Sequence, residues 1–441
     1  MLRLLPGLVW RSLLLLIRTA WGGCCSFFRR AACPASIVSR TAAGPPCPLP
    51  LFFYSQVAWD DVWQRPQEFA LRLARERPTI FFSPVQIHRL PGISNVARRP
   101  GGSNRPTCDL DIITAPILPG EYKSRLIRRL NAVLLRAEVR RRVGDGAAFT
   151  FLTNSPFAEP LRRAFRWRAT VYDVIDDYAA FDWAPPEAAR WHDALVANCD
   201  AVFTGTHALL EKVQPLRPEA RYVPSAVDFD LFYRPNRDAG PPPEELRDLR
   251  GPIIGYTGSI SDRLDRDLIR RAAERYPQAQ FVLIGPVHGS FGPPPQAPNL
   301  HYLGLKPHEV LPAYTNRFDL ALLPFRQTPG ALATNPVKTL EYLASGCVVL
   351  STAIPDVIRY YDGVVIVARS DGEFLDRMGE LLAGDHADRR ARGVEVARGA
   401  SWDAMARQAK EIIASAEARR AQSRDEGRET PDAKRAPRDE R

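Results

Sequence analysis

Two short stretches carry residues whose types and spacing suit capture of a phosphorylated ligand. In GYTGSISDRLDRDL (255–268) an apolar run ends at Tyr256, Gly258 and Ser259 follow, and a helix is predicted to start near Leu264. Gly258 lets the backbone approach a ligand closely. The N–H groups and dipole of the new helix favour an anion, and Arg263 adds a fork of charged donors. A diphosphate fits such a turn; so does an ordinary strand–turn–helix connection. In NPVKTLEYLASGCVVLST (335–352), Asn335 precedes Pro336, a residue suited to the first helical turn. Lys338 and Glu341 stand three apart, on one helical face. Lys338 can meet phosphate, and Glu341 can accept hydrogen bonds from two ribose hydroxyls. A lone pair of this kind is also an ordinary surface ion pair, worth roughly a few tenths of a kcal/mol. The flanking Pro336, Gly346 and apolar strand favour the ligand-binding reading.

Three further stretches carry candidate groups. In YDVIDDY (172–178), Asp173, Asp176 and Asp177 follow a strand, where a carboxylate can orient or deprotonate a hydroxyl. Close carboxylates raise one another's pKa, which suits a proton acceptor. Asp173 is taken as the catalytic group, while one of the three is expected to cap the next helix. In WDDVWQRPQ (59–67), Trp59 and Trp63 flank Asp60, and Arg65 stands before Pro66. Aromatic rings beside polar groups suit sugar faces, and they equally suit packing at a domain rim. In 122–143, Arg125, Arg129, Arg136 and Arg140 fall on one side of a helix, with Leu126, Leu130, Val133 and Ala137 on another. Such a helix either lies on an anionic membrane surface or turns its apolar side to the core and its basic side to water.

The elements that must position these groups alternate in kind. Strands are predicted at 51–57, 79–83, 109–113, 148–153, 170–175 and 201–205, with helices between them at 67–75, 121–143 and 187–198. A second series follows, with strands at 252–258, 280–285, 300–304, 319–325, 347–352 and 364–368. Strands alternating with helices imply α/β domains built on doubly wound parallel sheets. The expected division is a leader or extension outside the fold over 1–48 and an acceptor-side Rossmann-like domain over 49–225. A Pro-rich linker over 226–250 leads to a nucleotide-binding domain over 251–400, a closing helix over 401–418 and a charged tail without order over 419–441. Two such domains face each other across a cleft, and ligands bind beyond the carboxyl ends of the strands.

Composition removes other classes. The formal net charge is +10, but residues 1–50 hold six Arg and no Asp, Glu or Lys, so the remainder carries only +4. With no readable nucleic-acid motif, no nucleic-acid partner is expected. Cys108, Cys199 and Cys347 are far apart, without paired spacing or His partners, so neither a disulfide framework nor a zinc site is expected. Scattered Asp-x-Asp pairs are assigned no metal. A cytoplasmic setting, peripheral at the inner face of the plasma membrane if 122–143 meets lipid, is the expected location.

These motifs resemble the family-4 glycosyltransferases of the GT-B fold. The 335–352 stretch is similar to their donor-site signature, and GYTGSISDRLD resembles the loop after the first strand of their C-terminal domain. The 300–325 stretch resembles their base-binding strand and helix; WDDVWQRPQEFALRLA (59–74) and VYDVIDDYAAF (171–181) look like a bacterial branch. The resemblance implies retaining, metal-independent transfer from a nucleotide-sugar to a hydroxyl acceptor, a cell-surface polysaccharide or lipid-linked glycan, with no cofactor. It implies that Glu341 binds ribose, that Arg263 and Lys338 neutralise the diphosphate, and that the backbone at Gly258 and Ser259 holds phosphate oxygens. Two positions depart from the pattern. Ala333 stands where an earlier Glu is usual, and Tyr172 and Asp173 stand where many members have a His. The alternatives are a nucleotide-sugar epimerase of the same fold and a weakened sugar-nucleotide-binding scaffold. An oxidoreductase fits less well, because no G-x-G-x-x-G follows the first strand.

Overall fold

A computed structural model describes residues 49–61, 63–86, 109–181, 183–236, 240–332 and 334–425. The expected leader over 1–48, the tail beyond 425 and Ala333 lie outside the described residues. The apolar runs form two parallel sheets. The first contains β1 (Leu51–Tyr54), β2 (Thr79–Gln86), β3 (Leu110–Ile117), β4 (Thr150–Thr153), β5 (Ala169–Val174), β6 (Ala201–Thr204) and β7 (Arg221–Tyr222). Their spatial order is β3-β2-β1-β4-β5-β6-β7. The second sheet contains β8 (Ile253–Thr257), β9 (Gln280–Ile284), β10 (Leu300–Tyr302), β11 (Leu320–Leu323), β12 (Val348–Thr352) and β13 (Val365–Ala368), ordered β10-β9-β8-β11-β12-β13. Strand order reverses between β1 and β4, and again between β8 and β11. Each reversal opens a crevice at the carboxyl ends of the strands.

Burial explains why these runs lack alternation. Every residue of β1, β4, β5 and β6 is buried, as expected of parallel strands covered on both faces. Leu51, Phe53, Phe81, Leu152, Val171 and Phe203 face one side. Phe52, Tyr54, Phe82 and Phe151 face the other, against Trp167. Helix α1 (Arg65–Leu73) covers the first side and α2 (Arg125–Val143) the second. Helices α3 (Glu187–Asn198) and α4 (His207–Val213) complete the first domain; α5 (Arg266–Arg275), α6 (Val337–Ala344), α7 (Pro355–Tyr361), α8 (Asp371–Ala383) and α9 (Ala387–Gly399) belong to the second.

The last helix, α10 (Trp402–Asp425), returns to the first domain and runs past residue 418, where the sequence reading ended it. Trp402, Ala406, Ala409, Ile413 and Ala416 enter the same apolar cluster as Leu51, Phe53 and Phe69. Arg72 and Arg75 pair with Asp403, and Arg77 pairs with Glu417 at 2.7 Å. The chain therefore passes between domains twice, near Val227 and near Ser401. The two passages touch, with the Val227 N–H donating to the Ala400 carbonyl at 3.1 Å. The Pro-rich stretch is not a free linker, because Phe232 and Leu246 are buried in the second domain's core.

Helix α2 has two apolar stripes, and the sheet takes the other one. Asn131, Leu135, Val139 and Val143 are buried, while Leu126 is 57% and Val133 62% exposed. Asn131 fixes this rotation: its side chain accepts from the Leu118 N–H at 2.9 Å and donates to the Leu118 carbonyl at 3.0 Å. The stripe of Leu126, Leu130, Val133 and Ala137 does not face the core.

Candidate functional site

The turn after β8 differs from the expected phosphate cradle. Gly258 has φ +141° and Gly285 has φ +149°. A Cβ on Gly285 would lie 1.9 Å from the Gly258 carbonyl oxygen, so these two backbones run side by side only as glycines. The Gly258 N–H donates to Ile284 at 2.8 Å and the Ile260 N–H to Pro286 at 2.9 Å. Those amides extend the sheet instead of pointing at a ligand. Helix α5 then starts only at Arg266, where the Asp265 carboxylate already accepts from the Leu268 N–H at 2.8 Å. The Gly258 and Ile260 N–H groups are thus already committed, unlike the open cradle expected from the sequence. The loop is braced from α6: the buried Tyr342 hydroxyl accepts from the Thr257 N–H at 2.6 Å. The cationic groups remain. Arg263 is joined to Arg326 through the Arg326 N–H and the Arg263 carbonyl at 2.8 Å, at the β8/β11 reversal. Sequence reasoning passed over Arg326, although its place just beyond β11 was a usable signal.

Lys338, Glu341 and a residue not anticipated, His308, form a second cluster. Glu341 is 2% exposed. One carboxylate oxygen lies 2.7 Å from the Lys338 ammonium and the other 3.5 Å from His308 Nε2. Burial alone would raise the Glu341 pKa, but Lys338 and His308 hold it down at about 2. Lys338 is largely buried and committed to Glu341, so this pair is not a surface ion pair. His308 also stacks on Trp63 of the first domain, with centroids 6.1 Å apart. Nothing but its place in a Pro-rich turn marked this lone His in the sequence. The Asn335 side chain lies close to the Tyr222 and Tyr361 phenols, between the end of the first domain and α7.

On the first-domain side, the three aspartates separate. Asp173 lies within β5, 1% exposed, and its two oxygens take three hydrogen bonds from Arg65 at 2.9–3.2 Å. Burial pushes its carboxyl up, against the pull of Arg65. Arg65 itself is 4% exposed and lies over the Phe69 ring at 4.4 Å. The expected catalytic carboxylate and the expected acceptor-side arginine are therefore partners in the core, because β5 has not yet ended at Asp173. Asp176, past the strand end, crosses to the second domain and accepts from Arg263 at 2.9 Å. Burial raises its pKa, opposed by that guanidinium. Asp177 pairs with Lys212. Trp59 is packed against Phe81 and Trp63 and does not offer a sugar face, and Asp60 is exposed.

Sequence reasoning also missed a polar group at the β1/β4 reversal. The Gln56 backbone N–H donates to Asn154 Oδ1 at 3.2 Å, and its side-chain amide donates to the Tyr122 hydroxyl at 2.7 Å. Ser155 donates to Gln56 at 3.3 Å. Beside it stand Tyr122, Phe157, Tyr178, Phe181 and Trp183 in mutual ring contact, with Trp183 39% exposed. Arg263 lies 4.9 Å over Phe181. Through Arg263 this aromatic wall meets the cationic groups of the second domain. Among the described residues no group of three or more His, Cys, Asp or Glu could hold a metal ion. No described helix is long and apolar enough to cross a membrane.

Residues 251–384 match the model of a family described as glycosyl transferases group 1. A Bacillus subtilis (strain 168) protein, TuaH, named as a teichuronic acid biosynthesis glycosyltransferase, is 27% identical, over 56% of this chain and 67% of its own. The fold is similar to sucrose-phosphate synthase from Thermosynechococcus elongatus, with TM-score 0.62 and 14% identity over 83% of this chain and 98% of that one. It is also similar to HepE of Anabaena, a structure in complex with UDP and glucose, with TM-score 0.59 and 11% identity over 82% of this chain and 99% of that one. Two parallel-sheet domains, a family match over residues 251–384 and these relatives make the chain a glycosyltransferase of GT-B architecture.

Proposed function

We propose that the chain moves a sugar, with retention and without a metal, from a nucleotide-sugar to a hydroxyl of a cell-surface polysaccharide or lipid-linked glycan. The observation that carries this reading is the contact of Arg263 with Asp176, which brings the donor-side cation and an acceptor-side carboxylate to one point in the cleft. The second domain holds the donor. Arg263, with Arg326 beside it, and Lys338 face the diphosphate, and Glu341 and Asn335 position the ribose side. The HepE complex with UDP and glucose supports a nucleotide-sugar donor. The name of the Bacillus relative supports a polysaccharide acceptor.

In the reaction the bond from the anomeric carbon to the diphosphate oxygen breaks, and its electron pair leaves with the diphosphate. Arg263 and Lys338 stabilise the charge that develops there. Arg263 exchanges Asp176 for the diphosphate, and the released carboxylate accepts the acceptor's hydroxyl proton as the new carbon–oxygen bond forms. A carboxyl raised by burial is suited to take that proton. Gln56, Asn154 and the aromatic wall around Trp183 hold the acceptor. The thiols of Cys199 and Cys347 are buried and in no disulfide, which fits a reducing, cytoplasmic setting.

The test is a thermal-shift screen of UDP-, GDP- and ADP-sugars, followed by turnover with and without an acceptor. One nucleotide-sugar should stabilise the wild type and lose that effect in Glu341→Ala. Asp176→Asn should keep donor binding and lose about 100-fold or more in kcat. Interconversion of the donor with no acceptor would indicate an epimerase, and binding with neither hydrolysis nor transfer would indicate a scaffold. Stabilisation by no sugar nucleotide refutes the reading altogether.

A further inference from the structure

The unburied stripe of α2 borders a basic groove that the donor and acceptor chemistry leaves unused. Arg136 and Arg140 of α2 form one wall, and Pro160, Arg163 and Ala164 form the other, with Trp191 of α3 also lining it. The one acidic residue there, Glu159, is 3% exposed, and Arg162 takes both its oxygens, at 2.6 and 3.0 Å. The three groove arginines are exposed. Leu126 and Val133, spaced by sevens in line with Arg140 on α2, are 57% and 62% exposed, with Arg129 exposed between them. The one acidic group on α2, Glu138, is taken by Arg141 and Arg142. An apolar ridge, three uncompensated guanidiniums and a half-buried indole thus share one face.

We propose that this face docks on an anionic membrane, seating a phosphate-bearing lipid headgroup in the Arg136–Arg140–Arg163 groove while Leu126 and Val133 enter the acyl boundary. Charge complementarity selects the occupant. A neutral partner would leave three arginines unpaired, and a free anion would leave the apolar ridge in water. A helix carrying basic and apolar residues on its free face lies in the plane of the interface, and an indole suits its polar boundary. Docking is peripheral, since no described helix can span. The proposal does not rest on the transferase reading, and its readout is independent of turnover.

The experiment is co-sedimentation of the full chain with vesicles of phosphatidylglycerol and phosphatidylcholine, against vesicles of phosphatidylcholine alone. Binding should require the anionic lipid and weaken with salt. Each arginine near such a surface contributes about fivefold to partitioning, so Arg136→Gln/Arg140→Gln/Arg163→Gln should lose about 100-fold. The matching triple Lys variant should retain binding, and Val133→Asp should weaken it. All the substituted positions are exposed, and an unchanged melting temperature confirms the fold of each variant. Equal binding to neutral vesicles overturns the proposal. So does a triple Gln variant that binds like wild type, which would place any membrane affinity elsewhere, including residues 1–48. Inorganic phosphate that competes at millimolar concentration would make the groove a free-anion site and overturn it too.

Discussion

Removing Asp173 should unfold the first domain long before it says anything about catalysis. The carboxylate is 1% exposed and Arg65 is 4% exposed, and they meet through three hydrogen bonds. Arg65 Nη1 is buried without any other partner. Asp173→Ala therefore leaves a buried guanidinium with no counter-charge, a change that costs about 3–5 kcal/mol. For a unit of 150–250 residues each kcal/mol lowers Tm by roughly 2–4 °C, so the expected drop is about 6–20 °C. The double variant Arg65→Met/Asp173→Leu removes both charges at similar volume and should recover most of that loss. Differential scanning calorimetry gives the stability, and nucleotide-sugar turnover, read well below the variant's Tm, gives the activity. At that temperature the folded fraction of Asp173→Ala should keep most of its kcat. A variant with wild-type Tm and no turnover would show that Asp173 acts on substrate, and the assignment of proton transfer to Asp176 would fall.

Other outcomes follow from the cleft. Glu341, held at about 2 against an ordinary 4.5, contributes stability that is complete above pH 4.5 and is lost as pH falls toward 2. That shift corresponds to about 3 kcal/mol, so acid unfolding followed by circular dichroism should show a shallower limb over that window in Glu341→Gln. Tyr342→Phe leaves the Thr257 N–H buried without its hydroxyl partner, and should cost about 1–3 kcal/mol in urea unfolding and raise KM for the donor. Gly285→Ala forces a Cβ into the Gly258 carbonyl and should lower both Tm and nucleotide affinity, measured by calorimetric titration. Asp176→Ala frees Arg263 from a pair whose side chains are 33% and 20% exposed, and should tighten UDP binding by no more than about fivefold, the scale of a partly exposed pair.

Much of the fold was legible because parallel strands buried on both faces leave unbroken apolar runs, and helices between them leave amphipathic ones. β7 was not, since two residues, Arg221 and Tyr222, carry no pattern. The rotation of α2 was not, because its sequence holds two apolar stripes and the choice is made by Asn131 reaching the Leu118 backbone. The candidate site was legible as motifs but not as geometry. Three aspartates within five residues look alike until the end of β5 divides them. Asp173's partner comes from 108 residues away, a distance no local spacing encodes. Lys338 and Glu341 were read correctly as neighbours on one face, yet their burial depends on His308 and on Trp63 from the other domain.

The return of α10 to the first sheet has a consequence for biosynthesis. On the ribosome, the first domain emerges with Leu51, Phe53 and Phe69 uncovered, and the segment that shields them follows only after the whole second domain. Until Trp402 and the residues after it are released, this half must persist as an incomplete, sticky intermediate. A stop codon near 400 would therefore damage the first domain, yielding insoluble product whose second domain is otherwise entire.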